Sequence, residues 1–296
     1  MDSTDPNRIR ALPWFARALL TVAIAAIVAA CSSLPADGAQ VQSAVLTAVA
    51  EAYGTLAVED GVDLPVEEEG LATAHAAGPR TVVRRVGVER SVEVVDVALD
   101  LNQVPNTATV DAILHVEGTA EIWQVDFESD PTRTLLGEKP IALSGAVRFE
   151  LERRGRAWIV TSVRRAPLVQ GADAADLGPY ATVPAAPVAG RPVVLTLDLA
   201  APQPDDHFVV RAHARFLDGA AVMNDAGVGA DAVADDGTYT ALGRVAADAR
   251  EGARLLFFSA LNHTATTDLS VDADGAYVRP FTETILPAWA YVRAAD

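Results

Sequence analysis

The feature that most constrains the fold is a change of period at residue 81. From there apolar and polar residues alternate, which is the repeat of a half-buried strand and not of a helix. Residues 90–101 (RSVEVVDVALDL) follow it, and residues 102–106, with Pro105, read as a turn. Residues 107–127 (TATVDAILHVEGTAEIWQVDF) read as one long strand, with Gly118 as the point where it would break. Residues 140–152 and 157–165 form a closing pair around the turn Arg153-Arg154-Gly155-Arg156.

Upstream the period is helical. Val41, Ala44, Val45, Ala48, Val49, Ala52 and Leu56 recur at the spacing of one helix face, and a second short helix fits residues 69–77. A helix followed by long antiparallel strands predicts an α+β domain over residues 40–166, the helix lying on a curved sheet. That order, with the hairpin Phe149-Glu150-Leu151-Glu152 through Arg156-Ala157-Trp158-Ile159-Val160, resembles the nuclear transport factor 2-like cone fold. Cystatin-like and other helix-on-sheet layouts share the pattern. The resemblance implies a cone that can enclose a pocket, with Tyr53, Asp111, His115 and Trp123 as its candidate lining. Asp111 and His115 share a strand face, and a carboxylate beside an imidazole can do general acid–base work. The other reading is a solvated face, since Glu117 shares their parity.

Residues 167–190 (PLVQGADAADLGPYATVPAAPVAG) lack periodicity and read as a linker, with Tyr180 as the residue that would pin it to a neighbour. Residues 191–296 return to short strands, at 192–199, 207–216, 237–245, 254–261 and 275–282, which predicts a β-sandwich. Within it, Asn224-Asp225-Ala226-Gly227 and Asp231-Ala232-Val233-Ala234-Asp235-Asp236-Gly237-Thr238-Tyr239 resemble the aspartate–glycine signature of bacterial extracellular immunoglobulin-like domains. Ala230 stands where that signature has glycine. The resemblance implies an accessory cell-surface module. Two readings of the aspartates stay open: turn chemistry, in which carboxylates accept from backbone N–H groups, and a calcium site built from Asp225, Asp231, Asp235 and Asp236. The spacing does not fit an EF-hand loop.

The N-terminus reads as an export signal. Residues 1–30 carry Arg8, Arg10 and Arg17 ahead of thirteen uncharged, mostly apolar residues at 18–30, a match in length and flanks to a secretory core. A spanning helix would need about 20 apolar residues and would have to bury Arg17. The run ends in Val28-Ala29-Ala30-Cys31, which resembles a bacterial lipobox; the resemblance implies cleavage before Cys31 and acylation of its thiol. Residues 31–39 would then be a lipidated tether to the membrane. Ser32 and Ser33 follow without an aspartate, which favours an outer membrane where a cell has two.

Composition narrows the functional classes. The net charge is −17, and because residues 1–30 hold three arginines and two aspartates, their removal leaves −18. No basic patch stands out, which argues against nucleic acid. Cys31 is the only cysteine, so disulfides, thiolate metal sites and cysteine nucleophiles are excluded and the fold must rest on apolar cores. The chain contains no H-E-x-x-H, G-x-S-x-G or P-loop motif. The expectation is an exported, lipid-anchored cell-envelope protein that binds or organises, with a protein or glycan partner and calcium as the one cofactor its motifs suggest. The alternative is a cone-fold enzyme or a carrier for a small hydrophobic ligand.

Overall fold

The computed structural model describes residues 38–41, 43, 44, 47, 63–65, 80–126, 132–171, 174–201 and 206–295. Cys31, with the signal and tether around it, and Tyr53 lie outside the described residues. The strands are β1 (Asp63–Pro65), β2 (Arg80–Asp100), β3 (Thr107–Asp126), β4 (Thr132–Arg154), β5 (Ala157–Arg165), β6 (Leu168–Gln170) and β7 (Asp176–Val183). They continue with β8 (Pro192–Ala200), β9 (Phe208–His213), β10 (Ala221–Met223), β11 (Thr238–Arg244), β12 (Gly252–Asn262) and β13 (Glu283–Val292). A short helix, His263–Thr267, follows β12.

The described residues are 64% strand and 6% helical, which overturns the expected α+β first domain. Positions 38–41, 43, 44 and 47 are helical, and Val41 is buried in the core beneath β2–β5. The physical reason for the correction lies in what covers that core. Its inner residues, among them Val83, Ile122, Leu143 and Phe149, form one cluster with Phe257, Leu261, Phe281 and Ile285 from the C-terminal half. Strands, and not a helical layer, are the main described partner of the meander.

Ten strands form one sheet in the order β1-β2-β3-β4-β6-β13-β12-β9-β10, with β5 paired to β4; β11-β8-β7 form a second sheet. All strand pairs are antiparallel. β6 and β7 lie in the stretch expected to be a linker. The three residues of β6 carry the large sheet from one half of the chain to the other: Leu168–Gln170 pair with Glu283–Ile285 of β13, and Val169 pairs with Ser144 of β4. Gln170 extends the joint with its side-chain amide, which donates to Pro140 O (2.9 Å) and accepts from Ala142 N (2.8 Å). The chain reaches β6 by crossing over Gly145, where a Cβ would lie 2.5 Å from Pro167 O. Only glycine fits that crossing.

β2, β3 and β4 span 21, 20 and 23 residues. β3 keeps one parity, so Ala108, Val110, Ala112, Leu114, Val116, Ala120 and Ile122 all face the core. β2 does not. Its register shifts between Val86 and Glu89 and again between Val94 and Asp96. Each shift flips the side chains that follow to the other face. The inward residues therefore run Val83 and Arg85, then Val88, Val92 and Val94, then Val97 and Leu99.

The C-terminal half is a two-layer sandwich. Val193, Leu195 and Leu197 of β8 pack with Val210 and Ala212 of β9, Phe258 and Ala260 of β12, and Ala288 and Ala290 of β13. β12 is buried on both faces: its even residues face this core, while Phe257 and Leu261 face the other. That is why residues 254–261 (RLLFFSAL) read as a near-continuous apolar run. Tyr180 of β7 ties the small sheet to the edge of β13, its hydroxyl accepting from Trp289 N (3.1 Å).

Candidate functional site

Asp111, His115 and Trp123 have the parity of β3 that faces away from the core, and each has its own partner. Asp111 pairs across the sheet with Arg148, which donates through Nε (2.6 Å) and Nη2 (2.8 Å). That bidentate bond holds the Asp111 carboxyl below its usual range. His115 Nε2 meets Glu93 Oε2 at 3.4 Å, and Trp123 Nε1 donates to Glu121 at 2.9 Å. Four residues of strand separate Asp111 from His115 by about 13 Å. The structure does not bring these candidates together.

The aspartates of residues 225–236 are brought together. They lie in the connection between β10 and β11, where the chain passes from the large sheet to the small one. Asn224 and Thr240 exchange both backbone hydrogen bonds at its base (2.9 and 2.8 Å). Asp225 accepts from Asp236 N (3.2 Å) and Gly237 N (2.9 Å). Asp231, itself buried, accepts from Gly227 N (2.6 Å) and Val233 N (3.4 Å). Gly227 has φ +65°, and a Cβ there would stand 2.9 Å from Ala234 N. Burial raises the Asp225 carboxyl pKa, while the N–H groups of Gly237 and Asp236 act against it. These bonds are the turn chemistry expected from the sequence.

The same loop gathers carboxylate oxygens. One oxygen each from Asp225, Asp231 and Asp236 lies within 4.8 Å of the others. Asp235 is not in that group; it adopts φ 57° and donates its N–H to Asp225 O (3.1 Å). Each carboxylate oxygen has two lone pairs, so acceptance from one backbone N–H leaves capacity for a hard cation.

A third polar region was not singled out in the sequence. Arg85 and Lys139 are both inward-facing and buried, in one row across the sheet through Ala120, whose small side chain separates them. Lys139 is the only lysine of the chain and is 0% exposed. Its ammonium donates to the carbonyls of Ala265 (2.6 Å), Asp268 (2.6 Å) and Arg279 (2.8 Å), and it lies 5.0 Å from the ring centre of Tyr277. Burial lowers its pKa to about 8, with the Asp268 carboxylate acting in the opposite direction. Arg85 pairs with Glu283 of β13, the two side chains being 3% and 1% exposed. Burial pushes the Glu283 carboxyl up, and Arg85 and Arg211 act against it. Close by, Asn262 caps the short helix by accepting from Ala265 N (2.9 Å) and donates to Asp206 (2.9 Å), which also pairs with Arg279. Asn262, which with His263 and Thr264 has the pattern of a glycosylation sequon, is fully buried.

The signal that could have found this region is the anomaly itself: a lone lysine and an arginine at inward positions of strands. Their partners lie far away in sequence, so no local pattern names them. Compared with known protein families and with curated proteins, the chain matches none.

Proposed function

We propose that the protein is an exported, lipid-anchored component of the bacterial cell envelope that acts as a binding or organising module. The observation that carries this reading is the apolar run ending in Val28-Ala29-Ala30-Cys31 in a chain with no other cysteine. Acylation of Cys31 would anchor the chain, with each buried methylene adding about 0.8 kcal/mol. The described body supports the second half of the reading. It is mostly β, its C-terminal part is a two-layer sandwich compatible with an immunoglobulin-like module, and Trp289 and Tyr291 stand 47% and 51% exposed on one face of β13. Exposed aromatics of this kind suit a protein or glycan partner.

The test is Cys31→Ser. The expected result is loss of membrane association and of signal cleavage. A serine variant that is still processed and still membrane-bound overturns the anchor.

Calcium at the aspartate loop is a second reading, favoured by the convergence of Asp225, Asp231 and Asp236. Native mass spectrometry before and after a chelator tests it. A mass excess of one calcium, lost on chelation and absent in Asp231→Asn, supports the site; the bare mass in millimolar calcium removes it.

A further inference from the structure

One end of the meander carries two turns side by side. Residues 101–106 join β2 to β3, and Arg153-Arg154-Gly155-Arg156 turn the chain from β4 into β5. Arg153 N donates to Asn106 O (2.9 Å), and Asp100, Thr107 and Glu152 lie in one register across β2, β3 and β4. β6 meets β4 at Ser144, eight residues before Glu152, so this end lies about 26 Å along the strand from the joint with the C-terminal half.

Aliphatic side chains stand in water there. Val104 is 98% exposed and Leu101 48%, in a turn whose Gln103 and Pro105 are exposed as well. The neighbouring turn presents Arg154 and Arg156, both exposed, with Arg153 half-buried beside them. The hairpin from Arg148 to Arg165 holds six arginines against two glutamates, in a chain whose net charge is −17. Both glutamates are engaged within it, Glu152 with Arg154 (3.4 Å) and Glu150 with Arg164 (3.1 Å). Arg148 is held by Asp111, and Asp100 accepts from Asn102 N (3.0 Å).

A lone exposed valine is ordinary. Two aliphatic side chains on one turn, with three arginines on the turn beside it, match a surface that offers phosphates and an apolar layer together. A bilayer offers both: headgroup phosphates for the guanidinium groups, and an acyl boundary just below them. Nucleic acid offers the phosphates but no layer for aliphatic side chains. We propose that this end of the meander is a docking tip for an anionic bilayer, with Arg153, Arg154 and Arg156 on lipid phosphates and Leu101 and Val104 in the boundary below the headgroups. It rests on the envelope reading for a membrane to be within reach of the chain.

The experiment uses the full chain carrying Cys31→Ser and Gln103→Cys, with an environment-sensitive dye on its one thiol. The probes are vesicles of phosphatidylcholine alone and of two parts phosphatidylcholine to one part phosphatidylglycerol. Residues 18–30 are apolar and can partition into either vesicle, so the dye and not total binding is the readout. On the anionic vesicles the dye should shift to the blue and be quenched by nitroxide-bearing lipid; on phosphatidylcholine alone it should not. Arg154→Gln with Arg156→Gln should raise the lipid concentration for half the shift about twentyfold, at roughly fivefold for each arginine removed. Val104→Asp should abolish the quenching. The same dye at Leu242→Cys, an exposed position of β11, should stay unquenched. A dye at 103 that is unquenched on anionic vesicles, or quenched equally without phosphatidylglycerol, overturns the docking tip, and so does equal quenching at 103 and 242. A response to single-stranded RNA with none to vesicles assigns the arginines to nucleic acid and overturns it too. This chain lacks Cys31, so the result is separate from the anchor: should wild-type Cys31 prove unacylated, quenching at 103 still supports the tip, and an acylated Cys31 does not rescue a tip that stays unquenched.

Discussion

The aspartate loop and the buried polar contact are both networks of charged side chains, but they are assembled over very different distances. In the loop, the carboxylates of Asp225 and Asp231 accept from N–H groups two to twelve residues away. In the buried contact, Lys139 reaches partners 126, 129 and 140 residues away, and Arg85 meets Glu283 across 198. The loop is a local device that shapes one crossing between sheets. The buried contact exists only once both halves are folded, so its charges are desolvated against each other and depend on one another. Local turns tolerate loss of a bond because water can replace it; a buried ion left alone has no substitute partner.

Arg85→Met tests the contrast at its strongest. It removes the cation that pairs with the buried Glu283 carboxylate, and the expected loss is about 3–5 kcal/mol in urea unfolding. The double change Arg85→Met with Glu283→Leu should recover most of it, since a well-packed apolar pair can replace a buried ion pair. Lys139→Met comes next, because three carbonyls lose one shared donor; the expected cost is about 2–4 kcal/mol. Lys139 gives a chemical check as well. Its side chain should resist an amine-reactive reagent in the folded protein and react after denaturation, read by peptide mass spectrometry. Labelling of Lys139 under native conditions would mean that the contact opens readily.

Asp231→Ala should cost less, about 1–2 kcal/mol, with the change in exchange protection confined to residues 224–240. A loss spreading to β2 and β13 would break the distinction between local loop and distant contact. The smallest effect belongs to Asp111→Asn on the outer face. Its pair with Arg148 is solvent-exposed, and any stability difference should vanish as salt is raised. A large effect that persists in high salt would assign that face a structural role comparable with the buried pair.

The strands were largely legible. Alternation located β3, β5 and β8, and the Asp–Gly pattern located the loop between β10 and β11 together with its hydrogen-bonding chemistry. Two kinds of information were not legible. One was register in β2, where the two irregularities near Gly87 and Val95 change which valines face inward; alternation alone cannot show which of two faces is buried. The other was the nature of the layer over the meander. Apolar residues spaced for a helix at 41–56 suggested an α layer, yet Phe257, Leu261, Phe281 and Ile285 come from the far end of the chain to share that core. Asp111 and His115 looked like a pair because parity puts them on one face; parity does not say that cross-strand neighbours satisfy them first.

The sequence by itself determined the strand periods, the exclusion of thiol chemistry and the lipobox resemblance at Cys31, and it offered turn chemistry as one of two readings of Asp225 and Asp231. Each depends on residues close together in the chain, or on composition. Tertiary structure alone decided that one sheet runs through both halves by way of three residues of β6, and that Lys139 and Arg85 become buried ions. The reason is physical. A strand carries its own alternation, but the free energy of burying a charge depends on which distant carbonyls and carboxylates arrive around it.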